Sequence, residues 1–182
     1  MDRAPAPQDV INFWLKAGRE KWYRRDAALD AEITARFATA HAAAAEGQLA
    51  DWESTGEGAL ALLLLLDQFS RNMFRGSARA FATDAAARAI ADRAIARGFD
   101  ASGNPALRRF FYVPFMHSEA LADQLRCIAL CRAAGDAEGE HYAVMHHAII
   151  ARFGRFPHRN QALGRDMSAG ETAFLNEGGF AG

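Results

Sequence analysis

Residues 58–75 read GALALLLLLDQFSRNMFR, and this stretch sets the architecture of the chain. Leu60 and the leucines at 62–66 make a helix apolar on every side, which is the pattern of an element surrounded by others. The apolar run from residue 58 stops after nine residues at Asp67, whereas a membrane-spanning helix needs about 20. The stretch therefore predicts a buried central helix, and we expect no membrane segment.

Apolar residues also recur at helical spacing in the flanking segments, where they predict the inward faces of further helices. These residues are Leu29, Ile33 and Phe37, then Leu121, Leu125 and Ile128, and then Tyr142, Met145, Ile149 and Phe153. Glycine or proline marks the short links, and no stretch is typical of a strand. The sequence predicts an all-α fold, a compact array of antiparallel helical hairpins. We expect a single domain over residues 1–182, with frayed tails at 1–8 and 177–182.

The net charge limits the kinds of binding partner we expect, and the cysteines and the N-terminus indicate the cellular compartment. The formal net charge is −1, so no global field draws the chain to nucleic acid or to an acidic membrane surface, and we expect neither partner. Cys127 and Cys131 lack the spacing of redox or zinc motifs, so we interpret them as reduced core residues. The N-terminus has no apolar region of a secretory signal. Together these features predict a cytoplasmic protein.

The far end of the central helix turns abruptly polar. Asp67, Arg71 and Arg75 fall at i, i+4 and i+8, so they share one stripe if the helix continues that far. Asn72 lies beside this stripe. The stripe is a candidate for ligand recognition, because arginine can clamp a carboxylate or phosphate with two hydrogen bonds.

A second polar stretch, RFGRFPHRN at residues 152–160, holds many donors and almost no acceptors. Its polar side chains are Arg152, Arg155, His158, Arg159 and Asn160. Arginine only donates hydrogen bonds, so side chains that fold inward need carboxylates, carbonyls or an anionic ligand.

A third polar cluster, HSE at residues 117–119, suggests acid–base chemistry. His117 or His158 can act as a general acid or base, because an imidazole titrates near neutrality, and Glu119 can orient it. We interpret Ser118 as a helix cap and not as a nucleophile, since adjacent residues rarely point at each other. The histidine spacing matches no zinc signature, so we expect neither a metal nor a cofactor.

Four segments, in this order, resemble the motifs of a bacterial family known as domain of unknown function 924. They are LLLDQFSRNMFRG at 64–76, AFATD at 80–84, PFMHSE at 114–119 and RFGRFPHRN at 152–160. The resemblance covers nearly the whole chain and implies a tetratricopeptide-like all-α domain with no assigned activity. The family usually has proline at the position of Ser70, so the helix exit there is less sharply fixed in this chain.

If the hairpins stack in the usual way, the polar segments converge on a concave pocket for a small phosphate or carboxylate ligand. The predicted ligand-binding residues are Asp67, Arg71, Asn72, Arg75, Arg152, Arg155, Arg159 and Asn160, and the predicted catalytic residues are His117, Glu119 and His158. The alternative is an internal salt-bridge network in which Asp67, Glu119 and Asp123 neutralise the arginines. The chain would then be a tetratricopeptide-like module that binds a protein partner or its own copies. The sequence leaves both interpretations open, and it does not decide whether the protein is an enzyme.

Overall fold

The computed structural model describes residues 5–181, in which every regular element is helical and no strand occurs. The all-α prediction is therefore confirmed, while the tetratricopeptide-like arrangement stays a prediction. The α-helices are α1 (Pro7–Ala17), α2 (Arg19–Trp22), α3 (Ala27–Ala45), α4 (Gly56–Leu63), α5 (Ser70–Met73), α6 (Asp84–Ala96), α7 (Phe99–Ser102), α8 (Val113–Met116), α9 (Leu121–Ala133), α10 (Ala137–Phe153) and α11 (Ala169–Asn176). Shorter 3₁₀ segments are Ala50–Ser54, Ala78–Phe81, Pro105–Phe111 and Pro157–Arg159, and a π-helical segment is Leu64–Phe69.

The chain divides into two compact units. Unit 1 comprises the residues up to 75 together with 79–114, and unit 2 comprises 76–78 and the residues from 115 onward. The single-domain expectation stays a prediction. Within the part of the chain that the structure describes, no helix is long and apolar enough to cross a membrane.

The central helix of unit 1 continues from α4 through the π-helical segment into α5. Leu64, Leu65 and Leu66 are completely buried, as the all-round apolar pattern predicts. The wider π turn changes the backbone hydrogen bonding, and the Thr83 hydroxyl donates to the carbonyl of Leu66 at 2.5 Å. Asp67 lies in the same π segment and is also buried. The helix thus carries one carboxylate into the core, where Gln68 and Ser70 are also buried.

Aromatic rings surround the end of the π segment. The ring centroid of Phe69 lies 5.4 Å from Trp14, 5.2 Å from Phe37 and 5.9 Å from Phe13. Trp22 stacks on Trp14 at 5.9 Å and donates its indole N–H to the Trp14 carbonyl at 2.8 Å. These contacts join α1, α3 and the central helix into one core.

The start of the central helix depends on a capping residue and a glycine. The Thr55 hydroxyl accepts a hydrogen bond from the N–H of Gly58 at 3.1 Å, which satisfies one open donor of the first turn. A Cβ atom on Gly58 would lie 2.0 Å from the carbonyl oxygen of Trp52. Only glycine allows the 3₁₀ segment Ala50–Ser54 to pack this closely on α4.

In unit 2, α9 and α10 form a helical hairpin whose inward faces differ from the predicted ones. Leu121 and Leu125 are 47% and 56% exposed, while α9 buries Gln124, Cys127 and Cys131. The prediction for α9 was wrong because the Gln124 side chain donates to two carbonyls of the preceding turn, Met116 and Ser118, at 2.6 Å each. This polar anchor turns the leucines outward. Both cysteines are buried and unbridged, as predicted for reduced core residues.

The predicted stripe on α10 is also only partly buried. Tyr142 and Met145 are exposed, whereas Ile149 is buried. The buried face of α10 consists of Gly139, Ala143, His146, Ile149 and Ile150. Small residues at 139 and 143 favour close approach of a neighbouring helix, so they take the place of the larger side chains we expected.

The structure describes part of each predicted tail. Residues 1–4 and 182 lie outside the described residues, and Pro7 begins α1. After α11, Gly178 has a φ of 84° and the N–H of Gly179 donates to the Phe174 carbonyl at 2.9 Å. A Cβ atom on Gly179 would lie 2.5 Å from that same oxygen. The two glycines therefore make a tight turn that returns Phe180 to the body of unit 2.

Candidate functional site

The polar end of the central helix, in unit 1, is an ion-pair cluster around Arg71. The Arg71 guanidinium donates to the carboxylate of Asp67 at 3.1 Å and to both oxygens of Asp84 at 2.9 and 3.0 Å. Burial opposes the charge, but the two carboxylates outweigh burial and raise the pKa of Arg71 above its ordinary value. The pairing with Asp67 follows the predicted i, i+4 stripe. Arg71 thus serves to hold α6 against the central helix.

Asn72 and Arg75 share a different carboxylate, Asp30 of α3. The Asn72 amide donates to Asp30 at 2.7 Å, and Arg75 donates to it from Nε at 2.5 Å and from Nη2 at 3.0 Å. The predicted stripe does not extend to Arg75, because α5 ends at Met73. Asp67, Arg71, Asn72 and Arg75 therefore lie in unit 1, each bonded to side chains of that unit.

The HSE segment of unit 2 forms a turn before α9. The Ser118 hydroxyl accepts from the N–H of Ala120 at 3.2 Å and donates to the Asp123 carboxylate at 2.6 Å. Ser118 therefore orders the turn, but the N-cap of α9 is Ala120 without a side-chain capping bond, so our interpretation of Ser118 as the helix cap was wrong.

Glu119 connects this turn to the predicted basic stretch. It accepts from the N–H of Phe156 at 2.8 Å and from both terminal nitrogens of Arg165 at 2.8 and 3.0 Å. Burial raises the pKa of Glu119, but these hydrogen bonds outweigh it and hold that pKa below its ordinary value. Glu119 is therefore ionised and fixes the backbone at the start of the 3₁₀ segment.

Arg155 and Asn160 of the basic stretch converge on Glu171 of α11. Arg155 donates to the Glu171 carboxylate from Nε at 2.6 Å and from Nη2 at 2.8 Å, and the Asn160 amide donates to it at 3.2 Å. The Glu171 residue is only 2% exposed. The hydrogen bonds from Arg155, and then those from the N–H of Ser168 and from Asn160, hold the pKa of Glu171 well below its usual range. This group ties α11 to the segment that follows α10.

Arg152 lies on the aromatic surface of the same unit. Its guanidinium carbon is 4.7 Å from the ring centroid of Phe153 and 5.8 Å from that of Phe174. These are cation–π distances, so the charge of Arg152 is held over aromatic rings.

The remaining predicted residues, His117, His158 and Arg159, form a cluster with His146, and we define these four residues as the histidine–arginine cluster. Arg159 is 6% exposed, and its guanidinium carbon lies 4.4 Å from the ring centroid of Phe156. The His146 and His158 rings both lie 5.6 Å from the Phe156 ring.

Electrostatics connects the members of this cluster. Burial, and then the neighbouring charges of His117 and Arg159, lower the pKa of His146 to about 4, against a contact with the Tyr142 carbonyl that raises it. Positive charge on His117 or Arg159 therefore opposes protonation of His146. His146 is therefore neutral at physiological pH.

The aromatic residue Phe180 covers two members of the cluster. Its ring centroid lies 4.6 Å from His146 and 5.3 Å from His158. The tight turn at Gly178 and Gly179, after α11, places Phe180 beside these two histidines.

Sequence reasoning missed His146, Arg165 and Glu171 as members of these networks. Ser168 and Glu171 form a capping box at the start of α11, and that local pattern does not indicate that Arg155 lies beside Glu171. No group of three or more His, Cys, Asp or Glu residues within residues 5–181 is placed to hold a metal ion.

Two comparisons place the chain among known proteins. The model of DUF924, a family of bacterial proteins of unknown function, matches residues 10–179. The chain belongs to the DUF924 family. Its described motifs at 64–76, 114–119 and 152–160 all lie inside the matched region.

A solved structure agrees with the DUF924 assignment. It is that of a protein of unknown function, ATU0120, from Agrobacterium tumefaciens, with 47% identity and a TM-score of 0.90. The match covers 94% of this chain and 97% of that chain. No curated protein matches this DUF924 chain. The family fixes the fold, and the activity has to be argued from the residues.

Proposed function

We propose that the histidine–arginine cluster of unit 2 binds a small anion through a phosphate or carboxylate group. The observation that supports this proposal is the gathering of three imidazoles and a largely buried guanidinium in one cluster. A guanidinium and a protonated imidazole only donate hydrogen bonds, and both are attracted to phosphate and carboxylate oxygens.

Glu119 is the nearby carboxylate whose pKa the charge of Arg159 lowers, and its oxygens accept from Arg165 and from the Phe156 backbone. An anionic ligand would add negative charge where the cluster is positive. The site is also screened from water by aromatic rings, which strengthens a charge-assisted hydrogen bond.

The other predicted ligand-binding arginines contribute to stability in this proposal. Arg71, Arg75 and Arg155 each make paired hydrogen bonds to a carboxylate of their own unit. Such pairs stabilise the packing of the helices they join. The ligand-binding role is therefore assigned to His117, His158 and Arg159.

The proposal also includes acid–base chemistry, with His117 or His158 as the general acid or base. A bound anion would stabilise their protonated forms, so either ring could then deliver a proton to the ligand. Glu119 has a positioning role here, because it fixes the backbone of Phe156 just before His158. A cytoplasmic location also belongs to the proposal, supported by the two buried, unbridged thiols of α9.

Calorimetric titration with inorganic phosphate and with succinate tests the proposal. We expect wild-type protein to bind at least one of them, and His158→Gln and Arg159→Gln each to weaken binding by about tenfold or more. Arg132→Gln is the matched control, because this arginine of the same unit has a side chain that is 68% exposed and pairs with Glu140. His158→Gln keeps the test valid if the buried Arg159 variant does not fold.

Absence of binding at millimolar concentration of both anions would overturn the proposal. Equal loss of affinity in Arg132→Gln would do the same, because the effect would then be one of net charge. In either case the role of the arginines is structural. The hypothesis to test next is then the tetratricopeptide-like interaction module. The exposed Leu121 and Leu125 are the first surface residues to mutate.

A further inference from the structure

Unit 1 contains a cavity of about 350 Å³ that none of the polar motifs contributes to. It lies between α1, the first turn of α4 and the segment from α7 into Pro105–Phe111. Its apolar walls are Ile11, Leu15, Leu60, Phe99, Leu107 and Phe111. A cavity of this size is at the lower end of the range that holds small ligands, roughly 300–1,000 Å³.

The polar lining of this cavity is acidic. Glu57 and Asp100 are its two charged residues, and no Lys, Arg or His of the described chain lines it. Glu57 is exposed and makes no ion pair among residues 5–181. Asp100 is half-buried, and its carboxylate accepts from the Tyr112 hydroxyl at 2.6 Å, which fixes its orientation.

The uncharged polar lining adds a further acceptor. Gln8 donates its amide N–H to Asn12 at 2.8 Å, which leaves its carbonyl oxygen as the group that can accept from a ligand. Thr55 caps α4 by accepting from Gly58, so that N–H of the helix terminus is already satisfied. Ser102 donates its hydroxyl to the Phe99 carbonyl at 3.1 Å, which leaves its oxygen to accept, whereas the Asn104 carbonyl accepts from the N–H of Ala106 at 3.0 Å and leaves the amide N–H groups as donors. The charged lining is thus entirely acidic, and most of the uncharged polar groups can accept from a ligand.

We propose that this cavity binds a small primary amine with an apolar body. An ammonium group has three N–H donors and no acceptor, which complements two carboxylates and an amide carbonyl. The hydrocarbon part of such a molecule would bury its surface against the leucine and phenylalanine walls. A ligand anion is repelled by Glu57 and Asp100, and a neutral ligand gains no charge-assisted hydrogen bond from them.

The experiment is a calorimetric titration of the whole chain with hexylamine, hexanol and hexanoate, which share one apolar body and differ in the head group. We expect hexylamine to bind and to bind at least about tenfold more tightly than hexanol, with no measurable binding of hexanoate. Glu57→Gln should weaken hexylamine binding by about tenfold, since it removes the charge and keeps the shape. Glu138→Gln is the matched control, because Glu138 is also an exposed glutamate in the first turn of a helix, α10. It does not line the cavity, so this change should leave binding unchanged.

Methyl resonances identify where the amine binds. Hexylamine should shift the methyl signals of Ile11, Leu60 and Leu107, which line the cavity, and leave those of Ile150 in unit 2 unmoved. Equal affinities for hexylamine and hexanol, an unchanged affinity in Glu57→Gln, or methyl shifts confined to other residues would each overturn the proposal. A chain that binds none of the three probes at millimolar concentration would overturn it too.

Discussion

The ring of Phe180 lies 4.6 Å from the ring of His146, measured between centroids. Phe180 therefore limits access to a histidine that is 6% exposed. Because the pKa of His146 is about 4, its imidazole is unprotonated and chemically reactive at neutral pH, so access controls its modification. We expect Phe180→Ala to increase the rate at which diethylpyrocarbonate modifies His146 several-fold, measured by mass spectrometry of peptides.

The matched control for this prediction is Phe174→Ala. Phe174 belongs to the same C-terminal part of unit 2, but its ring packs against Phe153 at 5.2 Å and contacts Arg152. It should leave the reactivity of His146 near the wild-type value. If Phe180→Ala does not accelerate the modification, Phe180 is not the cover of the cluster.

The Arg155 and Glu171 pair is predicted to hold unit 2 together. Arg155→Ala leaves the Glu171 carboxylate, which is only 2% exposed, without its guanidinium. We expect the melting temperature to fall by about 10 °C, because a buried charge without its partner is strongly destabilising. Arg155→Ala combined with Glu171→Gln should recover part of this loss, since the remaining amide is neutral. Calorimetric melting that shows no change in Arg155→Ala would contradict the structural role.

Gly58 is predicted to be indispensable for packing at the start of the central helix. A Cβ atom at Gly58 meets the Trp52 carbonyl oxygen at 2.0 Å, so Gly58→Ala must displace the 3₁₀ segment. We expect a loss of about 3 kcal/mol in the free energy of unfolding. Gly170→Ala in α11 is the control, because nothing lies within 4 Å of its Cβ position. That change should be neutral or stabilising by up to about 1 kcal/mol, measured by urea unfolding.

The stability of the chain should depend on pH through His146. The pKa of His146 is about 4 in the folded chain and 6.5 in an ordinary histidine, so between these values the unfolded chain binds the proton and the folded chain does not. The free energy of unfolding therefore falls as the pH falls below 6.5, by about 2 kcal/mol at pH 5. When the free energy of unfolding is measured with urea, His146→Gln should lack this dependence on pH, whereas His147→Gln should retain it. If the free energy of unfolding depends on pH equally in both variants, His146 does not cause that dependence.

The sequence predicted the elements of the fold better than their orientation. The leucines at 62–66 specified a buried helix because they are apolar on every side, and no rotation of that helix could expose them all. On α9 the periodicity suggested that Leu121 and Leu125 face inward. A hydrogen-bonded Gln124 reversed this, and such an anchor depends on carbonyls in the preceding turn.

Few of the hydrogen-bonded pairs around the predicted site residues could be predicted from the sequence. Arg71 has one partner four residues away, at Asp67, which helical spacing reveals. Its other partner, Asp84, is thirteen residues away across a turn. His146 belongs to the cluster because the segments that contain Pro157 and Phe180 pack beside it. No local sequence pattern predicts this packing. Whether all the predicted residues form one site stays a prediction.

The measurement that tests anion binding most directly is histidine NMR in increasing concentrations of sulfate, which keeps its charge across the titration. The account predicts that sulfate shifts the ring resonances of His117, His146 and His158 and raises the pKa of His146 from about 4, while the ring of His141 on α10 does not respond. If no ring of the cluster responds at millimolar sulfate, or if His141 responds equally, the cluster is not an anion site.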